Sequence, residues 1–106
     1  MKKNLFAGVP VSLSDELTEV LCRSDGVRIE RIVSRGHPSP PGFWYDQEER
    51  EFVLLVKGRA GLWFEGEAQP RVVEEGDWVE IAPHARHRVE WTAPDQDTVW
   101  LAVCYQ

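Results

Sequence analysis

From residue 27 onward, apolar and polar positions alternate over short stretches broken by glycine and proline, the period of two that predicts strands. The stretches are "VRIERIVS" (27–34), "EFVLLVK" (51–57), "AGLWFE" (60–65), "RVVEE" (71–75), "GDWVEIA" (76–82), "HRVEWT" (87–92) and "TVWLAVCY" (98–105). Between the first two, "RGHPSPPGF" holds three prolines and two glycines in nine residues, which makes it a loop. Alternation assigns Phe52, Leu54, Val56, Leu62, Phe64, Val79, Ile81, Val89, Leu101 and Val103 to the interior. Many short strands at regular spacing predict an all-β sandwich or barrel of antiparallel strands rather than a βαβ fold. One element reads differently. In "VSLSDELTEVLCRSDG", Leu13, Leu17, Val20 and Leu21 share a helical face, with Ser12 or Ser14 as N-cap, Asp15 and Glu16 in the first turn, and Gly26 as a left-handed stop. The chain then divides into an N-terminal arm with a short helix (1–26) and a region of strands (27–106).

A length of 106 residues bounds this to one domain with a single core. The formal charge of −6, with lysines and arginines scattered among acids, argues against nucleic acid or an anionic membrane as partner. No apolar run is long enough to span a bilayer, and the N-terminus, broken by Pro10, makes a poor signal peptide, so a cytoplasmic location is expected. Cys22 and Cys104 lack CxxC spacing and are read as reduced and at least half-buried. Trp63, Trp78 and Trp100 are read as core or barrel-wall packing, whereas Trp44 stands at a loop-to-strand junction where it could line a pocket mouth.

Candidate chemistry gathers at His37 in the proline-rich loop, at "WYDQEERE" (44–51) and at "PHARH" (83–87). His84 and His87 can converge if their segment is a turn, but not if it is extended. Together these places form a pattern. Gly76, five residues, Ala82, Pro83, His84, two residues and His87 follow Glu51, six residues and Gly58. This order resembles the two motifs of the cupin superfamily, small antiparallel barrels also described as double-stranded β-helices or jelly rolls. Glu51 and Gly58 match the second half of the first motif. Gly76 and His87 match the second motif, with Ala82 in its proline place and His84 in its glycine place. The resemblance covers about residues 27–105 and implies that 27–106 form a cupin β-barrel.

The family's first motif also carries two histidines. Here those places fall on Trp44 and Asp46, or on Tyr45 and Gln47, and none is histidine. The resemblance implies a divalent metal on His87 and Glu51, with Asp46 and His84 as candidate further ligands. A 2-His-1-carboxylate set suits iron, an oxygen-rich set leans to manganese, and zinc needs three protein ligands. Without metal, the same residues form a hydrogen-bonded cluster at the barrel mouth. Two functions follow: a divalent-metal-dependent enzyme acting on a small polar molecule, or a non-catalytic sensor or storage cupin that binds a small ligand. His37, Trp44, Tyr45, Gln47 and Arg86 are the candidate ligand contacts. A homodimer is what the resemblance implies for assembly.

Overall fold

In the computed structural model, which describes residues 2–106, eight antiparallel strands form two sheets. They are β1 (Leu17–Ser24), β2 (Val27–Ser34), β3 (Arg50–Lys57), β4 (Arg59–Phe64), β5 (Arg71–Glu74), β6 (Trp78–Ile81), β7 (His87–Thr92) and β8 (Thr98–Tyr105). One sheet has the order β1-β2-β8-β3-β6, the other β5-β4-β7. Their inner faces meet in one core of Val53, Leu55, Ile81, Trp100 and Ala102 from the larger sheet and Ala60, Leu62 and Val73 from the smaller. No helix among the described residues is long and apolar enough to cross a membrane.

The predicted N-terminal helix is absent. Its residues form β1, which pairs with β2 from Leu17↔Val33 to Ser24↔Val27. A bulge between Val20 and Cys22 breaks the period of two, so Leu17, Val20 and Leu21 fall at a spacing that imitates a helical face. Asp25 and Gly26, read as a helix stop, are instead the two-residue turn of the β1–β2 hairpin, with Gly26 at φ +74°. Without the helix, Cys22 lies exposed on the edge strand rather than half-buried.

Two strands face the opposite way from the alternation reading. In β3 the interior residues are Glu51, Val53 and Leu55, while Phe52, Leu54 and Val56 are half-buried on the outer face. In β8 they are Thr98, Trp100, Ala102 and Cys104, with Leu101 and Val103 outside. Leu62 and Ile81 are buried as expected, and Phe64, Val79 and Val89 pack against the core. Trp78 is not wall packing: it is 60% exposed on the edge strand β6, stacked on Phe52 at 5.2 Å. The outer face of the larger sheet also buries Val33 and Val99. There Arg31 pairs with Glu19 and donates to the carbonyls of Leu5 and Ala7 at 3.0 and 2.6 Å, so the N-terminal segment lies across this face.

Candidate functional site

The sheet register sets one row of side chains across the inner face. Arg28 on β2 pairs with Cys104 on β8, Cys104 with Glu51 on β3, and Glu51 with Ile81 on β6. The neighbouring row begins with Glu30 opposite Ala102. From the other sheet, His87 at the start of β7 pairs with Phe64 and forms an isolated bridge with Tyr45. Of these, Arg28, Glu30, Tyr45, Glu51, Ile81 and His87, with Glu16, Thr18, Gln47 and Trp100, surround a cavity of about 220 Å³ whose wall also includes Ile32, Val53, Leu62 and Val89.

At the centre of the cavity stand two buried ionisable groups. His87 is held between Tyr45, stacked at 5.3 Å, and Phe64, tilted at 5.7 Å. Its Nδ1 lies 2.7 Å from the Ala85 carbonyl, which can only accept, so Nδ1 carries the proton and Nε2 faces the cavity. Glu51 Oε1 is 3.5 Å from that Nε2, and Glu51 Oε2 is 3.7 Å from the Cys104 thiol. Burial, with the Glu51 charge added, pushes the Cys104 thiol up to about 12, so it stays protonated and unreactive. Burial together with Glu16 and Glu51 pushes the Tyr45 phenol up to about 12 as well. Burial also raises the Glu16 carboxyl, partly offset by the Ser34 hydroxyl at 3.1 Å and by the nearby His37 and Tyr45.

Of the residues singled out from sequence, Tyr45, Gln47, Glu51 and His87 converge on the cavity. The others do not line it. Asp46 and His84 meet each other at 2.7 Å on the exposed surface. The Gln47 carbonyl accepts from the His84 N–H at 2.7 Å, so this pair ties the 44–48 segment to the β6–β7 turn. Trp44 packs on Trp63 at 5.5 Å and under the Arg88 guanidinium, and Arg86 pairs with Glu65 at 3.0 Å. His37 accepts the Arg35 N–H at 2.9 Å within its loop. Sequence reasoning missed Glu16, Arg28 and Glu30. In "VRIERIVS" Val27, Ile29 and Val33 share one face, so period-two logic turns Arg28 and Glu30 outward; the strand does the reverse because its apolar face is covered by the N-terminal segment.

The family model described as a cupin domain matches residues 32–104. The chain belongs to the cupin family. A cupin from Ralstonia eutropha JMP134, provisionally described as a mannose-6-phosphate isomerase, is 49% identical over 100% of this chain and 98% of its own, with a TM-score of 0.95. Two more distant structures share the fold. A cupin superfamily protein from Desulfitobacterium hafniense DCB-2 has TM-score 0.73 at 16% identity, covering 92% of this chain and 83% of its own. The polyketide cyclase RemF from Streptomyces resistomycificus has TM-score 0.74 at 18% identity, covering 87% and 66%. No curated protein matches the chain.

Cupins often hold a divalent metal, and the donors in the cavity decide whether one fits here. His87 Nε2 and Glu51 supply two donors, while Asp46 and His84 are turned outward onto each other. Among the described residues no group of three or more histidine, cysteine, aspartate or glutamate side chains is placed to hold a metal ion. By that geometry the donor set falls short of the three protein ligands that even an open zinc site uses.

Proposed function

We propose that this cupin binds a small molecule in the His87–Glu51 cavity without a resident metal, and that His87 Nε2 is its proton-transferring group. The observation that carries the reading is the locked imidazole: Nδ1 is fixed on the Ala85 carbonyl while Nε2 opens onto a cavity-facing carboxylate 3.5 Å away. A buried base oriented in this way, with a carboxylate beside it, can accept a proton from a bound ligand and return it. Tyr45, stacked on the ring and kept neutral, holds that orientation and leaves its hydroxyl as a hydrogen-bonding group.

The description of the Ralstonia cupin points to a phosphorylated hexose as its substrate. For this chain the lining argues against a phosphate. Arg28 is the one lysine or arginine in the cavity wall, and its guanidinium is already engaged by Glu30 at 3.2 Å and by both Glu49 oxygens at 3.2 and 3.0 Å.

The test is elemental analysis of untagged protein, together with melting curves in added iron, manganese and zinc. The expected result is much less than one metal per chain and an unmoved melting temperature. One equivalent of metal, lost in His87→Ala, would overturn the reading.

A further inference from the structure

We propose that the cavity's ligand is a compact organic ammonium ion, a primary amine on an apolar body, with its nitrogen lodged between His87 and Glu51. This rests on the metal-free small-molecule reading above. The polar end of the cavity holds one ring nitrogen and one carboxyl group side by side. With Nδ1 committed to the Ala85 carbonyl, only Nε2 of His87 is left for the cavity, and it stands 3.5 Å from a Glu51 carboxyl oxygen.

Glu51 itself is only 7% exposed. Among the described residues the partners of its side chain are the His87 ring nitrogen at 3.5 Å and the weak Cys104 thiol at 3.7 Å. A carboxyl group this deep with two long contacts has room for a stronger donor. A bound N–H donor answers the ring nitrogen and the carboxyl group at once, and a positive charge on it offsets the desolvated carboxylate.

The surrounding wall makes the same demand. Glu16 and Glu30 add two carboxylates, so three acids line the cavity against the one guanidinium of Arg28, which is saturated by Glu30 and Glu49. An anion entering here meets carboxylates and no free cationic donor. Beyond the polar floor, Ile32, Val53, Leu62 and Trp100 form an apolar wall that suits a hydrocarbon body. A neutral alcohol could donate one hydrogen bond to the floor but would leave the buried charge unbalanced.

The probes are n-butylamine, 1-butanol, butyrate and inorganic phosphate, each titrated at about 0.15 M salt, where attraction to the acidic surface is screened. Binding is read from the Trp100 indole N–H resonance, assigned with Trp100→Phe. Butylamine is expected to shift it at least about tenfold more tightly than butanol, the margin a charge-assisted hydrogen bond supplies, and butyrate and phosphate are expected not to bind. Glu51→Gln should remove the preference for the amine. Glu30→Gln should weaken it and serves as the second variant should Glu51→Gln fold poorly; Glu67→Gln, on the exposed surface, should leave it unchanged. Butanol binding as tightly as butylamine would overturn the ammonium assignment while leaving the metal-free pocket standing. Butyrate or phosphate binding as well as the amine would do the same. No shift with any probe would overturn the ammonium assignment, while the metal content decides the metal-free reading separately.

Discussion

Two motif glycines that look equivalent in sequence do different physical jobs. Gly58 sits at φ +97°, and a Cβ added there would lie 2.5 Å from Thr98 Oγ1, 2.7 Å from Thr98 Cα and 2.8 Å from the Asp97 carbonyl. Backbone strain and backbone collision act together, because β3 turns into β4 directly against the start of β8. Gly76 at φ +90° has nothing within 4 Å of the added atom, so only the left-handed conformation is at stake. Gly58→Ala is therefore expected to destabilise by about 3 kcal/mol and Gly76→Ala by about 1 kcal/mol, measured by urea denaturation. Similar losses at the two sites would contradict the packing argument. His84 completes the comparison. It occupies the motif's glycine place and, among the described residues, is the one non-glycine with positive φ, at 60°. Its exposed ring pairs with Asp46, so it serves a turn and not the cavity.

At the scale of elements, the test of register lies in β3. Leu55 is fully buried between the sheets, whereas Leu54 points outward beside Leu101 and Trp78. Leu55→Ala should cost about 2–5 kcal/mol and Leu54→Ala clearly less; the reverse order in chemical denaturation would mean the strand is turned over. Why the alternation misleads here is physical. "EFVLLVK" is apolar on both faces because its outer face also packs, so hydrophobicity alone cannot choose the phase. The motif position of Glu51 does choose it: a carboxylate facing the cavity puts Val53 and Leu55 inside with it. Strand existence, loops and the pairing of Glu51 with His87 were legible from the turn residues and motif spacing. The β1 strand was hidden by its bulge, and Arg28 and Glu30 were hidden by an apolar face that the N-terminal segment covers. What single strands could not reveal was which of their two faces the rest of the chain would bury.

At the scale of the whole molecule, buried and surface carboxylates pull stability in opposite directions as pH changes. Asp97 is held below the usual carboxylate range by Arg35 at 2.6 Å, which joins the loop after β2 to the turn before β8. Its contribution is present above the unfolded pKa and is lost as pH falls through the lower folded value. Glu16 has the opposite sign. Burial raises its folded pKa, so the folded chain holds that proton more tightly than the unfolded one. Its favourable contribution is full below the ordinary carboxylate value of about 4.3 and is lost as pH rises through the higher folded value. At neutral pH the chain thus carries the cost of a poorly solvated carboxyl group at the cavity wall, as expected of a group placed for a ligand rather than for stability. Glu16→Gln retains a side-chain oxygen to accept from Ser34 but removes the charge. It is expected to raise the melting temperature at pH 7, with the gain shrinking toward zero as the pH approaches about 4. Melting curves of the two proteins across that window decide the matter, and a gain that persists or grows at acidic pH would show that the ionised Glu16 is not the source of the instability.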